Sequence, residues 1–442
     1  MRQGFIALTA GRVRRLHLGT GVLLCASAVA SSAHAQVASP AAVVERALKA
    51  APVIDGHNDL PWEMRERVDY DFDRIDVSKP QPQLMTDVPR LRAGRVGGQF
   101  WSVYVPVDLQ GDAAVSATLE QMDAVYQMAR RYPSTFTIVR TADEVERAMK
   151  AGTVASLMGV EGGHSIDSSL ATLRMLHRVG AGYMTLTHST NVPWADSTTD
   201  DARSDGLSAF GEEVVREMNR LGMLVDLSHT SAATMADAIR VSKAPVIFSH
   251  SNARGVCDVP RNVPDDILRE VKRTGGIVMA TFVPGFVSPE VAAYNRTLTA
   301  ETRALQSKFG ADAAGLKAAV DAWKAGHPEP RATIAQVADH IDHIRTVAGI
   351  DHIGLGGDFD GITSVVQGLE HVGTYPALLT ELARRGYSEG DLAKITSRNI
   401  LRVMRAAEAV AASMKGVPPS IKTIEQVDRV TKRGQPVAAP AR

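Results

Sequence analysis

Short apolar, β-branched runs recur along this chain with helical patterns between them, and most of the runs end on a histidine, aspartate or glutamate. Pro52-Val53-Ile54 leads into Asp55-Gly56-His57-Asn58-Asp59. Val154 to Val160 delivers Glu161, Gly182 to Thr187 delivers His188, and Met223 to Ser228 delivers His229. Ala244 to Ser249 delivers His250, and Ile353 to Gly357 delivers Asp358. Gly98 to Val107 and Gly275 to Val283 bring the set to eight strands. Helical spacing fills gaps between them, as in Ser208 to Leu221 and Ser231 to Val241. Strand and helix in repeated alternation predict a parallel α/β fold, and eight such strands predict a (β/α)8 TIM barrel. Polar residues at the C-terminal strand ends of a barrel converge on one mouth, the face on which barrels do chemistry.

The 442 residues accommodate one barrel domain with insertions, expected over residues 36–415, since barrels run to about 250 residues and exceed 400 with added loops. Strand signals stop between Pro284 and Arg331. Thr299 to Gly326 reads there as one or two surface helices, inserted after strand 7 on the catalytic face as a lid or wall. After Ala411 the chain turns polar, with Pro418, Pro419, Pro436 and Pro440, and residues 416–442 read as a flexible tail.

Residues 1–35 read as a removed export signal. Arg2, Arg12, Arg14 and Arg15 precede a weakly apolar run from Leu16 to Ala30, and Ala33-His34-Ala35 supplies a small-x-small cleavage site. Arg14-Arg15 leaves the twin-arginine route open beside the general one. The expected compartment is periplasmic or extracellular. Cleavage removes Cys25 and leaves Cys257 as the one thiol, so no intrachain disulfide forms even where oxidation would allow it. No other run reaches the roughly 18 to 20 apolar residues that span a bilayer, which predicts no stable membrane anchor. Formal charge is zero, with no long basic or acidic block. Nothing electrostatic points to nucleic acid, and a small-molecule partner is expected.

Residues i and i+2 of an extended segment share a side, so His57 and Asp59 can reach one ion together. Four histidines, two aspartates and a glutamate at strand ends have the composition of a divalent-metal hydrolase site. Taken singly, His57 or His229 has an ordinary reading as a hydrogen-bonded rim residue. Six strand ends carrying ligand-type residues do not. Asp358 sits in Gly354-Leu355-Gly356-Gly357-Asp358-Phe359-Asp360-Gly361, whose glycine spacing is not that of a dinucleotide loop. Asp360 reads as a turn former and His164 as a loop residue. Arg261, in the proline-fixed loop Pro260-Arg261-Asn262-Val263-Pro264, reads either as a surface arginine or as a guanidinium that faces the mouth, matched there to a substrate carboxylate.

Together Asp55-Gly56-His57-Asn58-Asp59-Leu60-Pro61-Trp62, Gly159-Val160-Glu161-Gly162-Gly163, Leu186-Thr187-His188-Ser189 with Pro193-Trp194-Ala195-Asp196, and Asp226-Leu227-Ser228-His229 resemble the membrane (renal) dipeptidase family. Phe248-Ser249-His250-Ser251, Arg261-Asn262-Val263-Pro264-Asp265-Asp266 and Gly356-Gly357-Asp358-Phe359-Asp360-Gly361 extend that resemblance from about Ala51 to Arg405. It implies a binuclear zinc peptidase of the amidohydrolase type with two Zn2+ per chain. Glu161 bridges the ions, His57 and Asp59 complete one, and His229 and His250 complete the other. It further implies that Asp358 shuttles the proton, that His188 contacts the substrate near the scissile carbonyl, and that Arg261 holds the substrate carboxylate. The expected reaction is hydrolysis of a dipeptide amide by a metal-bridging hydroxide, with L-D dipeptides and some β-lactams among the substrates, in a possible homodimer. Two departures stand out: Thr190 replaces the cysteine expected near the end of the fourth strand, and residues 284–331 do not resemble the vertebrate enzymes. Two other readings stay open at this level. One is a metal-dependent lactonase or phosphotriesterase on the same barrel, and the other is a periplasmic peptide-binding protein that has lost catalysis.

Overall fold

The computed structural model describes residues 38–437; the expected export signal lies outside them. Among the described residues nine parallel strands form the sheet: β1 (Val53–Asn58), β2 (Val96–Tyr104), β3 (Phe136–Ile138), β4 (Val154–Glu161), β5 (Ala181–Thr185), β6 (Leu224–Asp226), β7 (Ile247–Phe248), β8 (Ile277–Ala280) and β9 (Ile353–Leu355). Pairing runs β2-β1-β9-β8-β7-β6-β5-β4, and a further ladder between β2 and β4 closes the ring. This is the eight-stranded (β/α)8 barrel. The ninth strand, β3, which the sequence reading does not contain, is three residues alongside the start of β4.

The C-terminal ends of several barrel strands are shorter than their apolar runs, because side chains take over the backbone groups there. Asp226 Oδ1 accepts from the amides of Ser228 and Ser249, and Ser228 Oγ accepts from the amide of His250. β6 and β7 therefore stop at Asp226 and Phe248, and His229 and His250 stand on the turns that follow. Ser208 and Ser231 are N-caps of the helices Ala209–Leu221 and Ala232–Val241, as their position before each helical run predicts. Phe100 of β2 and Tyr183 of β5 are not on neighbouring strands, yet their rings lie 5.3 Å apart. They belong to a buried cluster with Ile54, Leu157, Ile247 and Met279 that fills the barrel beneath the mouth.

The expected insertion follows β8, the seventh strand of the barrel, as helices Pro284–Val287, Pro289–Phe309 and Ala313–Gly326. No residue of Ala313–Gly326 is buried. The C-terminal segment is not a loose tail within the described residues. Helix Asn399–Ser413 is followed by a capped turn, Ile424–Val427, with Ile424 buried. Asp428 accepts from the Phe210 amide, Lys422 pairs with Glu213, and Lys432 pairs with Asp167. Proline and charge read as looseness in the sequence, while the partners that hold this stretch lie some 200 residues away. Among the described residues no helix is long and apolar enough to cross a membrane, and Cys257 is free and buried.

Candidate metal centre and substrate pocket

All seven strand-end residues and Arg261 are brought together at the barrel mouth. His57 Nε2 lies 3.3 Å from Asp59 Oδ2, 3.4 Å from Glu161 Oε2 and 3.9 Å from Asp358 Oδ1. On the other side of the same carboxylate, Glu161 Oε1 is 3.2 Å from His229 Nε2 and 3.6 Å from both His188 Nε2 and His250 Nε2. The two oxygens of Glu161 thus face two different ligand groups, the disposition of a bridging carboxylate. Ser102 Oγ donates to Oε2 at 3.0 Å and helps fix that orientation.

The donor set fits divalent ions. His57 Nε2 is buried and makes no hydrogen bond among the described residues despite three carboxylates within 4 Å. His229 Nε2 and His250 Nε2 are 2.9 Å apart, near enough for both nitrogens to reach one ion. Trios of potential ligand atoms fall within 4.8 Å of one another in His57, Glu161 and His250, in Glu161, His188 and His229, and in His57, Asp59 and Asp358. A Cβ at Gly361 would come within 2.4 Å of Asp59 Oδ2 and 2.7 Å of Asp358 Oδ1, so the space over these carboxylates is open because residue 361 has no side chain.

Electrostatics point the same way. Burial, and after it the charge of Arg261, holds the pKa of His229 well below that of free imidazole. Burial, with the charges of His57 and Arg261, does the same to His250. Both are therefore neutral and carry a lone pair. Burial opposes a charge on His57, but Tyr183, Glu161 and Asp59 raise its pKa well above the usual value. Burial, reinforced by Asp59 and Glu161, lifts the Asp358 carboxyl well above the carboxylate range, although His57 and Arg261 oppose the rise. Three acids this close and this deep call for compensating positive charge.

The backbone is bent to present these groups. His229, Asp358 and Asp360 have φ of 66°, 61° and 66°, a left-handed conformation that non-glycine residues adopt at a cost and that gathers at functional sites. Several residues that support the centre escape sequence reading. Asp226 Oδ2 accepts from Thr185 Oγ1 and Ser249 Oγ, each at 2.6 Å, and Ser249 Oγ lies 2.8 Å from His250 Nδ1. Tyr183 stands 2.9 Å from His57 Nδ1. Serine, threonine and tyrosine inside strands follow no spacing rule that separates such partners from ordinary core residues. Asp360 is buried and accepts from the Met85 amide at 2.6 Å, in keeping with a structural role. His164, in the turn Gly163–Ile166, is buried with Nε2 3.1 Å from the Val105 carbonyl.

Above the centre is a pocket of about 440 Å³. Trp62, Glu63, Tyr104, Arg261, Val283 and Phe286 are among its lining residues. His188 also lines the pocket, with its ring 5.0 Å from that of Tyr104. Arg261 is 5% exposed and lies over the Phe286 ring at 5.0 Å. Among the described residues its only hydrogen bonds are long, 3.4 Å to Ser251 Oγ and 3.4 Å to the His250 carbonyl, and its Nε has none. Burial pushes its pKa down to about 10, so it keeps its charge at neutral pH. Asn262 holds the loop by donating to the Cys257 and Phe286 carbonyls at 2.8 Å each. Of the insertion, only Phe286 at its start reaches the pocket lining; the two long helices contribute nothing, contrary to the lid or wall expected of them.

The family model of the membrane dipeptidases, peptidase family M19, matches residues 41–417. An uncharacterized dipeptidase of Schizosaccharomyces pombe is 43% identical over 381 residues, covering 83% of this chain and 83% of that protein. Dipeptidase 3 of Mus musculus is 41% identical over 373 residues, covering 83% of this chain and 67% of that protein. Among solved structures, a metallopeptidase from Rhodobacter sphaeroides liganded with a phosphinate mimic of the dipeptide L-Ala-D-Ala shares the fold. Its TM-score is 0.67 at 24% identity, over 81% of this chain and 99% of that one.

Proposed function

This chain belongs to the membrane dipeptidase family, peptidase family M19, and is a metal-dependent hydrolase of peptide bonds; from that premise we propose that it is a two-zinc dipeptidase requiring a free C-terminal carboxylate on its substrate. The observation that carries the reading is Glu161, whose two oxygens face separate ligand groups in a pocket that also holds a buried guanidinium whose Nε has no hydrogen-bond partner among the described residues. His57 and Asp59 would hold one ion with Glu161 Oε2, and His229 and His250 the other with Oε1. Two such cations, when bound, lower the pKa of water toward neutrality and polarise a carbonyl oxygen.

The remaining work falls to this chain's own side chains. Arg261 fixes the substrate carboxylate by parallel charge-assisted hydrogen bonds, which orients the amide over the centre. His188 contacts the substrate beside the scissile carbonyl. Asp358 takes a proton from the attacking water as the new C–O bond forms, then gives it to the departing nitrogen as the C–N bond breaks. Its raised pKa suits a group that must both accept and return a proton. Accommodation of a D-residue at the C-terminal position is supported by the L-Ala-D-Ala mimic bound to the Rhodobacter sphaeroides relative in fold. Certain β-lactams, which present an amide beside a carboxylate, fit the same arrangement. Export to the periplasm or beyond, and a homodimeric state, complete the proposal.

The test is metal analysis joined to turnover. The wild type is expected to bind two zinc ions and to cleave L-L or L-D dipeptides. Glu161→Gln should weaken both ions and Asp59→Asn mainly one. A fully active chain with a single ion would overturn the two-ion reading, and lactone or phosphotriester turnover exceeding that of every dipeptide would overturn the substrate class.

A further inference from the structure

His57 has two ring nitrogens with different surroundings. Nε2 faces Asp59 and Glu161 in the metal centre. Nδ1 points the other way, to the phenol oxygen of Tyr183 at 2.9 Å. That phenol is fully buried and donates its one proton to the Gly56 carbonyl at 3.1 Å. With its proton committed there, the oxygen can only accept from His57. Both contacts are hydrogen bonds at once when Nδ1 carries the hydrogen, which leaves the Nε2 lone pair for the cation.

The neighbouring strand is shaped to hold this ring. Gly159 on β4 is the register partner of Tyr183 on β5, and a Cβ there would stand 1.9 Å from Tyr183 Cζ. No side chain, even alanine, fits beside the phenol without displacing it. Phe100 packs on the ring at 5.3 Å between centroids. A glycine that makes room, a rigid strand position and a committed proton leave the phenol oxygen one place to be.

We propose that Tyr183 is a positioning residue of the metal centre: its phenol oxygen fixes the tautomer and ring orientation of His57, and so sets the affinity of the ion held by His57 and Asp59. Tyr183 touches neither ion nor substrate; it acts through His57. The inference rests on the two-ion reading above. Partners of this kind on metal-bound histidines are worth about 10- to 100-fold in metal affinity or activity.

The experiment is a competitive chelator titration of zinc into the wild type and Tyr183→Phe, with ion stoichiometry and thermal melting measured on the same samples. Phenylalanine keeps the ring beside Gly159 and removes only the oxygen. Two binding phases are expected in the wild type, and Tyr183→Phe should weaken one of them by about 10- to 100-fold while the other stays in place. Unchanged affinity for both ions in a folded variant overturns the proposal. If the variant does not fold, nitrogen-15 NMR of His57 in the zinc-loaded wild type decides instead. A proton on Nδ1 supports the assignment, and a proton on Nε2 refutes it. A wild type that binds one ion only would sink the two-ion reading, and this is seen before any variant is compared.

Discussion

A guanidinium buried in a pocket wall with its Nε unpaired and its two hydrogen bonds stretched to 3.4 Å is incompletely satisfied. A planar carboxylate would complete it, and each charge-assisted hydrogen bond gained is worth roughly 1.5 to 3 kcal/mol in a desolvated site. Converting the substrate carboxylate to an amide should therefore lower kcat/KM by about 100-fold or more, read on one dipeptide and its C-terminal amide. Arg261→Lys should recover part of the activity lost in Arg261→Ala, since it restores charge without the planar fork. Equal cleavage of acid and amide by the wild type would remove the clamp. Asp358→Asn makes a different prediction. An amide cannot accept and return a proton, so kcat should fall by about 10²- to 10⁴-fold while the zinc content stays at the wild-type value. Wild-type kcat at saturating substrate would take the proton shuttle away from Asp358.

At the scale of elements, the sequence is most legible where chemistry and periodicity coincide. Glu161, His188, His229, His250 and Asp358 all follow apolar runs, and the barrel carries each to the mouth because parallel strands share a direction. Strand ends were less legible, since Asp226 and Ser228 replace ladder hydrogen bonds with side-chain ones. The pairing of Tyr183 with Gly159 is hidden, although both lie in runs the sequence marks out, because it is a register between β4 and β5 that no local pattern encodes. The insertion is legible both as helix and in its place after the seventh barrel strand, while nothing in the sequence tells how far its helices stand from the pocket. Its outer helix buries nothing and lines no part of the pocket. Trp323→Ala in that helix, whose ring stacks on His327 at 4.3 Å, should leave kcat/KM for dipeptides within about twofold of wild type, as surface changes remote from a site do. A drop in kcat/KM beyond tenfold would restore the lid.

Over the whole molecule, the loop carrying Arg261 is held against the insertion's first helix, and one of the links is a buried histidine. His340, on helix Ile334–Val347, accepts from the Ala253 amide through Nδ1 at 3.2 Å, and its Nε2 lies 3.0 Å from the Val287 carbonyl. This pattern uses the neutral ring, with Nε2 donating. A second proton on Nδ1 would abolish the bond to Ala253. Burial pushes the His340 pKa down to about 4, against about 6.5 for an unfolded chain. Between these values the unfolded state binds a proton that the folded state does not, so stability rises with pH. The contribution is complete above about pH 6.5 and is lost as pH falls toward 4. Between pH 7 and 5 the loss should be about 2 kcal/mol from this one group. His340→Gln keeps a donor and an acceptor but does not titrate. Urea midpoints of metal-free protein, measured across that range, should fall less steeply for the variant. Histidines of the metal centre titrate in both proteins, so the difference between the two curves isolates His340. Parallel curves would mean that the ring is already charged in the fold, or that this link does not bear on stability.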